Sequence, residues 1–216
     1  MTTGGGRLRF ALTAALFVAL GYFAWKSGRS VYERGPELEI AEIAGVVVLK
    51  WPHAIEAPMA ARFAAAFAKY GDRTDRFVID LDSPGGAVAE GRLVIAAIEA
   101  TKKTRRVDTL VGRGAVCLSM CVPIYLAGDD RAAAPDATFM FHEPSSYDLV
   151  TAERIDKPGF EARMTSARFF ERYFERSEMN PVWRERLKER WRGKDLWLTA
   201  EELVAEGANV VETLTE

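Results

Sequence analysis

The sequence predicts an α/β fold with a mostly parallel sheet. Three largely apolar segments of strand length, at residues 45–49, 77–81 and 107–111, alternate with segments long enough to form helices. The first of them is a continuous apolar run, which is typical of a strand that is buried on both faces. The alternation of strand and helix predicts parallel β-α-β units with right-handed crossovers. In such sheets, functional sites form where strands end and helices begin.

The first half of the domain contributes most of the predicted sheet. Residues 39–43 alternate like a strand, and residues 57–70 predict a helix that ends at Gly71. The helix that follows the second buried strand has four residues on one face, Val88, Gly91, Ile95 and Ile98. This pattern predicts a helix packed against the sheet.

The second half predicts shorter strands and longer helices. Residues 131–134 and 138–141 predict two short strands, and residues 145–159 predict a loop. The next helix has an apolar face made of Phe160, Met164, Ala167, Phe170 and Phe174. Phe169 and Tyr173 lie off that face, so they indicate either an oligomer contact or packing against the domain's own loops.

Composition excludes some classes of protein. The chain has 216 residues, of which 49% are hydrophobic and 28% charged, and this fits a folded domain with an appendage rather than a disordered chain. The formal net charge is -2, and no basic stripe interleaved with aromatic residues is present. Nucleic-acid binding is therefore not expected.

The N-terminus predicts a membrane anchor. Residues 10–25 carry no charge, and as a helix they would span about 24 Å. The run has 16 residues, fewer than the roughly 20 that cross a bilayer comfortably. It is therefore a short anchor or the core of a signal peptide. The aromatic residues at its end, Tyr22, Phe23 and Trp25, favour an uncleaved anchor.

These features predict four segments. A tail at residues 1–9 contains Arg7 and Arg9 and is expected on the cytoplasmic side. The anchor at 10–25 precedes a linker at 26–36, which is rich in polar residues and ends in Gly35-Pro36. The globular domain is expected at residues 37–216, outside the cytoplasm.

Two strand–helix junctions are candidates for a site. The sequence Ser83-Pro84-Gly85-Gly86 follows one predicted strand, and Cys117-Leu118-Ser119-Met120 follows another near the start of a predicted helix. The two should face one crevice. Ser119 is either a helix cap or a nucleophile beside amides that can hold negative charge.

The cysteine and histidine content narrows the possible chemistry. Cys117 and Cys121 would share a helix face, but they match neither a C-x-x-C redox motif nor a zinc set. They are expected to be two buried apolar side chains, or a redox pair in an oxidising compartment. His53 is interpreted as a surface or structural residue, which leaves His142 as the candidate general base.

Five motifs in one order carry a resemblance to a known family. They are Ser83-Pro84-Gly85-Gly86, Ser119-Met120, Gly128-x-x-Arg131, Met140-Phe141-His142-x-Pro144 and Asp195-x-x-Leu198-Thr199-Ala200-Glu201-Glu202. Over residues 40–212 the chain resembles the proteolytic subunit of the Clp protease. With its predicted anchor, it is more similar to the membrane-anchored or periplasmic Clp-subunit-like proteins of bacteria.

The resemblance implies a fold, an activity and a site. The fold would be that of the ClpP/crotonase superfamily, with repeated ββα and βαβ units, and the protein would be a possible homo-oligomer at the periplasmic side of a bacterial inner membrane. The activity would be ATP-independent cleavage of peptides or unfolded segments, with no cofactor and no metal. Ser119 would be the nucleophile, His142 the base and Asp195 the orienting acid. The oxyanion would be held by backbone amides of Gly85 and Met120, with Gly86 shaping the turn.

Alternatives remain at the sequence level. A crotonase-like acyl-thioester enzyme shares this fold but needs no nucleophilic serine, and an assembly or adaptor protein could keep the fold without activity. Asp195 could instead lie near the cap of a helix that begins with a capping box at Thr199. Glu143 and Asp148 are nearer to His142 in sequence, but they would have to fold back to reach it.

Overall fold

A computed structural model describes residues 35–144 and 159–216 of the chain. The predicted tail, the anchor and nearly all of the linker lie outside these residues, as does most of the loop predicted at 145–159. Within the described ranges, no helix combines the length and apolarity needed to cross a membrane. Residues Glu37–Glu216 form one compact unit.

The larger sheet has six strands in the order β1-β2-β3-β4-β6-β9. Strand β1 is antiparallel to β2, and every other neighbouring pair is parallel. The strands are β1 (Glu39–Ile43), β2 (Val46–Trp51), β3 (Arg76–Leu81), β4 (Arg106–Val111), β6 (Arg131–Ala133) and β9 (Thr213–Leu214). The prediction of an α/β fold with a mostly parallel sheet is therefore confirmed.

The helices connect and cover these strands. Helices α1 and α2 lie in the crossovers from β2 to β3 and from β3 to β4, and they pack against each other. The helices are α1 (Met59–Tyr70), α2 (Val88–Lys102), α3 (Cys121–Leu126), α4 (Gly159–Phe170), α5 (Pro181–Arg190) and α6 (Ala200–Ala205). A π-helical turn, Glu171–Glu175, extends α4.

A second sheet of three strands, in the order β5-β7-β8, brings distant parts of the chain together. Its strands are β5 (Val116–Leu118), β7 (Thr138–Phe141) and β8 (Leu196–Thr199). Ser83 joins it to the larger sheet, because the Ser83 amide donates to Val116 O at 2.7 Å and the Leu118 amide donates to Ser83 O at 3.0 Å. Segments more than 100 residues apart in sequence therefore meet at one edge.

An aromatic cluster fixes α4 and the π-helical turn to the domain. Phe170 and Phe174 pack edge-on against Trp191, with ring centroids 5.3 and 5.6 Å apart. Phe169 contacts Phe174 and also packs against Tyr173, with the two ring planes tilted and their centroids 4.8 Å apart. Phe169 therefore packs within the domain, and a contact of Phe169 or Tyr173 with a second copy stays a prediction.

Two local predictions are wrong. Residues 116–118 are a strand rather than the beginning of a helix, because they pair with Thr138–Met140 of β7 and this tertiary pairing overrides the local helical pattern. The apolar pair Val210-Val211 also predicts a last short strand, but the last strand of the structure is β9. Val210 and Val211 are apolar because they are buried in the core, and the pairing with β6 begins three residues later.

Candidate active site

Ser119 occupies the tight turn between β5 and α3. Its backbone has a φ of 55°, in the left-handed region that a residue with a Cβ rarely adopts. Two hydrogen bonds hold the turn, from the Ser119 amide to Met140 O at 2.9 Å and from the Val122 amide to Ser119 O at 3.1 Å. Such strain persists where the surroundings over-determine the conformation, and it is common at functional sites.

A disulfide closes this turn. Cys117 in β5 and Cys121 at the start of α3 are bonded across Ser119, with their Cα atoms 5.1 Å apart. Both are fully buried. Of the two expectations for these cysteines, they are therefore a bonded pair rather than two separate apolar side chains, and they do not share a helix face because Cys117 lies in β5. The bond ties the two flanks of the strained serine together.

His142 lies directly against Ser119. Its Nε2 is 2.6 Å from Ser119 Oγ, within hydrogen-bond distance. The contact follows from strand pairing, since Met140 of β7 is in register with Leu118 of β5 and each catalytic candidate follows its strand closely. In this geometry, an imidazole with an unprotonated Nε2 can accept the serine proton.

Asp195 is near His142 but more loosely held. Its Oδ1 is 3.6 Å from His142 Nδ1, which is too long for a hydrogen bond, and its side chain is 54% exposed. Residue 195 precedes β8, where Leu196 is in register with Phe141, so the pairing of β7 with β8 places Asp195 beside His142. Catalytic hydrogen bonds are often long in unliganded enzymes and shorten when substrate binds.

Glu143 has a contact that sequence reasoning missed. Its Oε2 accepts a hydrogen bond from the Gly193 amide at 3.0 Å. Gly193 has a φ of 67°, and it lies two residues before Asp195. Glu143 therefore holds the turn that presents Asp195, although 50 residues separate it from Gly193 and no local pattern signals the contact. The other acid considered, Asp148, lies outside the described residues.

The glycine turn after β3 faces the serine. Gly85 has a φ of 88°, and a Cβ at this position would lie 2.5 Å from Leu118 O and 2.7 Å from Ser119 Cβ. A Cβ at Gly86, where φ is 151°, would lie 2.4 Å from Ile55 O. Both positions therefore require glycine for the backbone to approach so closely. The two strand–helix junctions, at Gly85-Gly86 and at Ser119, therefore face one crevice, as predicted.

The candidate oxyanion groups have different surroundings. The Gly85 amide donates to the buried Ser83 Oγ at 3.2 Å, near the upper limit for a hydrogen bond. Met120 follows Ser119 and is fully buried. Its side chain packs over Gly91 of α2, where a Cβ would come within 2.5 Å of Met120 Cγ. The sequence motif alone does not reveal that the Ser83 hydroxyl accepts a hydrogen bond from the Gly85 amide.

A cavity of about 820 Å³ opens from the serine and the histidine. It is bounded by the glycine turn, by α2, and by α4 with its π-helical turn. The apolar part of its lining includes Val88, Met140, Phe169 and Tyr173. Within the described ranges, no cluster of His, Cys, Asp and Glu side chains could hold a metal ion.

A partly buried carboxyl, that of Asp80, lies on the strand that leads to this crevice. Burial raises the pKa of Asp80 in β3, and the nearby Asp82 carboxylate raises it further, while Lys50 acts in the opposite direction. Asp82 is itself fixed, since its Oδ1 accepts a hydrogen bond from the Val116 amide at 3.0 Å. Two carboxyl groups, those of Asp80 and Asp82, therefore influence each other at the end of β3.

A serine–histidine contact at the strand ends of an α/β fold is typical of hydrolases. The model of the Clp protease family matches residues 50–213 of this chain. The chain therefore belongs to the Clp protease family, a family of peptidases, and the resemblance seen in its motifs is confirmed.

A solved structure supports the same fold. A single-residue mutant of ClpP1 from Listeria monocytogenes is similar, with a TM-score of 0.59 and 18% sequence identity. The match covers 78% of this chain and 91% of that chain. At this identity the similarity establishes the fold alone. No curated protein sequence matches the chain.

Proposed function

We propose that this protein is an ATP-independent serine endopeptidase that cleaves peptides or unfolded protein segments. The observation that carries the proposal is the 2.6 Å contact between Ser119 Oγ and His142 Nε2 in a cleft large enough for a peptide. Membership of a peptidase family is consistent with it. The activity needs neither a metal nor a cofactor.

In the first half of the reaction, Ser119 Oγ attacks the scissile carbonyl carbon while His142 Nε2 takes the hydroxyl proton. The carbonyl oxygen becomes an oxyanion, which the amides of Gly85 and Met120 bind. The Gly85 amide exchanges its 3.2 Å bond to Ser83 Oγ for the stronger, charge-assisted bond to the oxyanion. The tetrahedral intermediate then collapses, and the amine leaves with the proton from His142.

In the second half, water replaces the leaving peptide. His142 removes a proton from the water, hydroxide adds to the acyl carbon, and collapse returns the proton to Ser119 Oγ. Asp195 orients the imidazole and stabilises its charged form. This role requires the 3.6 Å separation between Asp195 Oδ1 and His142 Nδ1 to shorten when substrate is bound.

The proposed location is the periplasmic side of a bacterial inner membrane, with residues 10–25 as the anchor. The Cys117–Cys121 disulfide supports this location, because structural disulfides persist in oxidising compartments and are rare in the cytosol. The protein is also proposed to act as a homo-oligomer, by analogy with its family.

The distance between Ser119 Oγ and His142 Nε2 also distinguishes the proposed peptidase from the two alternative functions. An adaptor with a degenerate site needs no such contact, and an acyl-thioester enzyme of the crotonase type would use paired amides without a serine nucleophile. The 2.6 Å contact and the strained Ser119 backbone favour catalysis by serine over both.

Hydrolysis of a fluorescently quenched, unfolded protein by the full-length chain, without ATP, tests the proposal. We expect turnover by the wild type and a loss of about 10³-fold or more in Ser119→Ala and in His142→Ala. Addition of ATP should change nothing. Equal hydrolysis by the wild type and Ser119→Ala would refute the proposal.

A further inference from the structure

The cleft that holds Ser119 also carries three positive charges that the proposed chemistry does not use. Arg92 of α2, Arg168 of α4 and Arg172 of the π-helical turn line the same 820 Å³ cavity as Ser119 and His142. No Asp or Glu is among the described residues that line it. Along the described part of these walls, a substrate therefore meets three cations and no carboxylate.

The spacing of the arginines along the chain places all three side chains along the cavity that contains Ser119. Arg92 is one helical turn beyond Val88, and both line the cavity. Arg168 and Arg172 are also four residues apart and both line it. Like charges at this spacing destabilise a helix, so the cluster costs some stability in the absence of an anion.

The three arginines differ from most other arginines near the sheet in having no carboxylate partner. Among the described residues, Arg76 and Arg106 bind Asp108, and the buried Arg131 binds both Glu178 and Glu212. In contrast, Arg92, Arg168 and Arg172 make no ion pair or hydrogen bond with any residue at 35–144 or 159–216. Their guanidinium groups are exposed and available to a ligand.

Apart from Ser119, His142 and Thr165, most of the remaining lining of the cavity is apolar. Phe169 and Tyr173 pack against each other with ring centroids 4.8 Å apart, and Met140 lies next to the serine and histidine. A ligand that fits this cleft combines apolar groups with carboxylates. Guanidinium groups bind carboxylates through paired, charge-assisted hydrogen bonds, which makes them more selective than a diffuse positive potential.

We infer that this cleft selects acidic peptide segments, with Arg92, Arg168 and Arg172 binding carboxylates within a few residues of the scissile bond. The inference rests on the proposed peptidase function, for which it names the substrate class. The carboxylates can be Asp or Glu side chains, or the C-terminal carboxylate of a short peptide. Matched peptides distinguish these two sources.

The test compares quenched-fluorescence peptides on one apolar scaffold with an amidated C-terminus, carrying either Glu or Gln on both sides of the cleavage site. For the full-length wild type, we expect kcat/KM to be about tenfold higher for the Glu peptide, since charge-assisted bonds to carboxylate are lost with Gln. A Gln peptide with a free C-terminal carboxylate reports the second source. The preference should shrink at about 0.5 M salt because exposed charges are then screened.

Arginine variants assign the preference to the cluster. In Arg168→Gln/Arg172→Gln the preference should fall to about twofold or less while the rate on the Gln peptide is retained. Arg92→Gln should reduce it partially. Arg163→Gln is the matched control, because Arg163 is on the same helix α4 but lines a different cavity. It should leave the preference unchanged.

Several results would overturn the inference. The first is equal kcat/KM for both peptides in the wild type. The second is an equal loss of kcat/KM on both peptides in the Arg168→Gln/Arg172→Gln variant. The third is a change in the sedimentation of that variant with an unchanged preference, which would assign the charges to contacts with a second copy. Binding of a fluorescein-labelled Glu peptide to full-length Ser119→Ala, measured by anisotropy against the Gln peptide, separates the two proposals. Preferential binding without hydrolysis by the wild type would keep acidic recognition and reject the peptidase, whereas hydrolysis without preference would do the opposite.

Discussion

Ser119 combines a strained backbone with a hydroxyl that touches an imidazole. A φ of 55° is unusual for serine, and the surrounding hydrogen bonds to Met140 and Val122 hold it. Gly85 has to be glycine because its backbone approaches Leu118 O and the serine itself. At the scale of single residues, the chain therefore adopts a strained backbone conformation at Ser119, and this conformation places the hydroxyl against His142.

Asp195 is the residue whose role can be separated most sharply from a structural one. The cap of α6 is already complete, because the Glu202 amide donates to Thr199 Oγ1 at 3.2 Å and the Thr199 amide donates to Glu202 Oε2 at 2.8 Å. The helix therefore does not need Asp195 as a cap. This favours its interpretation as the partner of His142.

We predict that Asp195→Asn lowers kcat by between about tenfold and about 10³-fold and leaves the melting temperature within about 2 °C. The amide cannot stabilise the imidazolium, but the exposed side chain contributes little to packing. Steady-state kinetics and calorimetry measure the two effects. Glu201→Gln, another exposed carboxylate in the first turn of α6, is the control. A lower melting temperature with normal kcat would assign Asp195 to the helix end instead.

Several residue roles were accessible from the sequence and others were not. The spacing of motifs identified Ser119 and His142, which the structure brings into contact at 2.6 Å. The contacts of Ser83 and Glu143 were not predicted, because they depend on turns that strand pairing brings together. A redox pair at Cys117 and Cys121 was one of two expectations, but the bond across Ser119 was not predicted, because the helical interpretation placed both cysteines on one helix face.

Among the elements, the short turn from β5 to α3 is held from both ends. The disulfide joins Cys117 to Cys121, and β5 is clamped between Ser83 on one side and β7 on the other. Without the bond, the strained serine turn has more freedom to relax toward an ordinary backbone conformation. Both the stability and the geometry of the site should depend on it.

Removal of this disulfide tests that dependence. We predict that Cys117→Ala/Cys121→Ala loses about 2 kcal/mol of stability by the loop-entropy relation and melts about 4–8 °C lower. The kcat should fall while KM changes less, because the turn positions the nucleophile rather than the substrate. Calorimetry and peptide hydrolysis measure these effects. Reductant should affect the wild type and leave the double variant unchanged, and a variant with normal kcat and melting temperature would contradict the account.

Strand β3 carries a carboxyl that destabilises the fold at neutral pH. Burial raises the pKa of Asp80 above its ordinary value, so the folded state resists ionisation more than the unfolded state does. Below the ordinary pKa the group is protonated in both states and has no effect. As the pH rises through the ordinary pKa toward the raised one, stability is lost, and it stays lower above that window.

Asp80→Asn should therefore stabilise the protein at pH 7 and change its stability little at pH 3. Denaturant unfolding at the two pH values measures the difference. The nearby Asp82→Asn is not an equivalent change, because Asp82 accepts a hydrogen bond from the Val116 amide. A loss of stability in Asp80→Asn at pH 7 would show that the carboxylate is a favourable partner of Lys50 instead.

At the scale of the whole molecule, the two sheets explain why the site forms. The larger sheet was predictable, because buried parallel strands leave continuous apolar runs such as that of β2. The smaller sheet was not, because β5, β7 and β8 have three or four residues each and their pairing spans about 80 residues of sequence. Strands this short carry little local signal, and tertiary contacts determine them.

Substrate selection is also a property of the whole molecule. The cleft lies between α2, the glycine turn, β7 and the π-helical turn, so its charge comes from parts of the chain that are far apart in sequence. Arg92 and Arg172 are 80 residues apart, and no linear motif contains both. The sequence could therefore predict a peptide substrate through its family resemblance, but not an acidic one.

Covalent labelling of the full-length chain with a fluorophosphonate probe tests the central claim most directly. The account predicts one adduct, mapped by mass spectrometry to Ser119, absent in Ser119→Ala and formed at least about 10²-fold more slowly in His142→Ala. Ser177→Ala serves as the control, because this hydroxyl donates to Phe174 O at 2.7 Å and does not line the cavity of Ser119, and it should label like the wild type. Equal labelling of the wild type and Ser119→Ala would contradict the account.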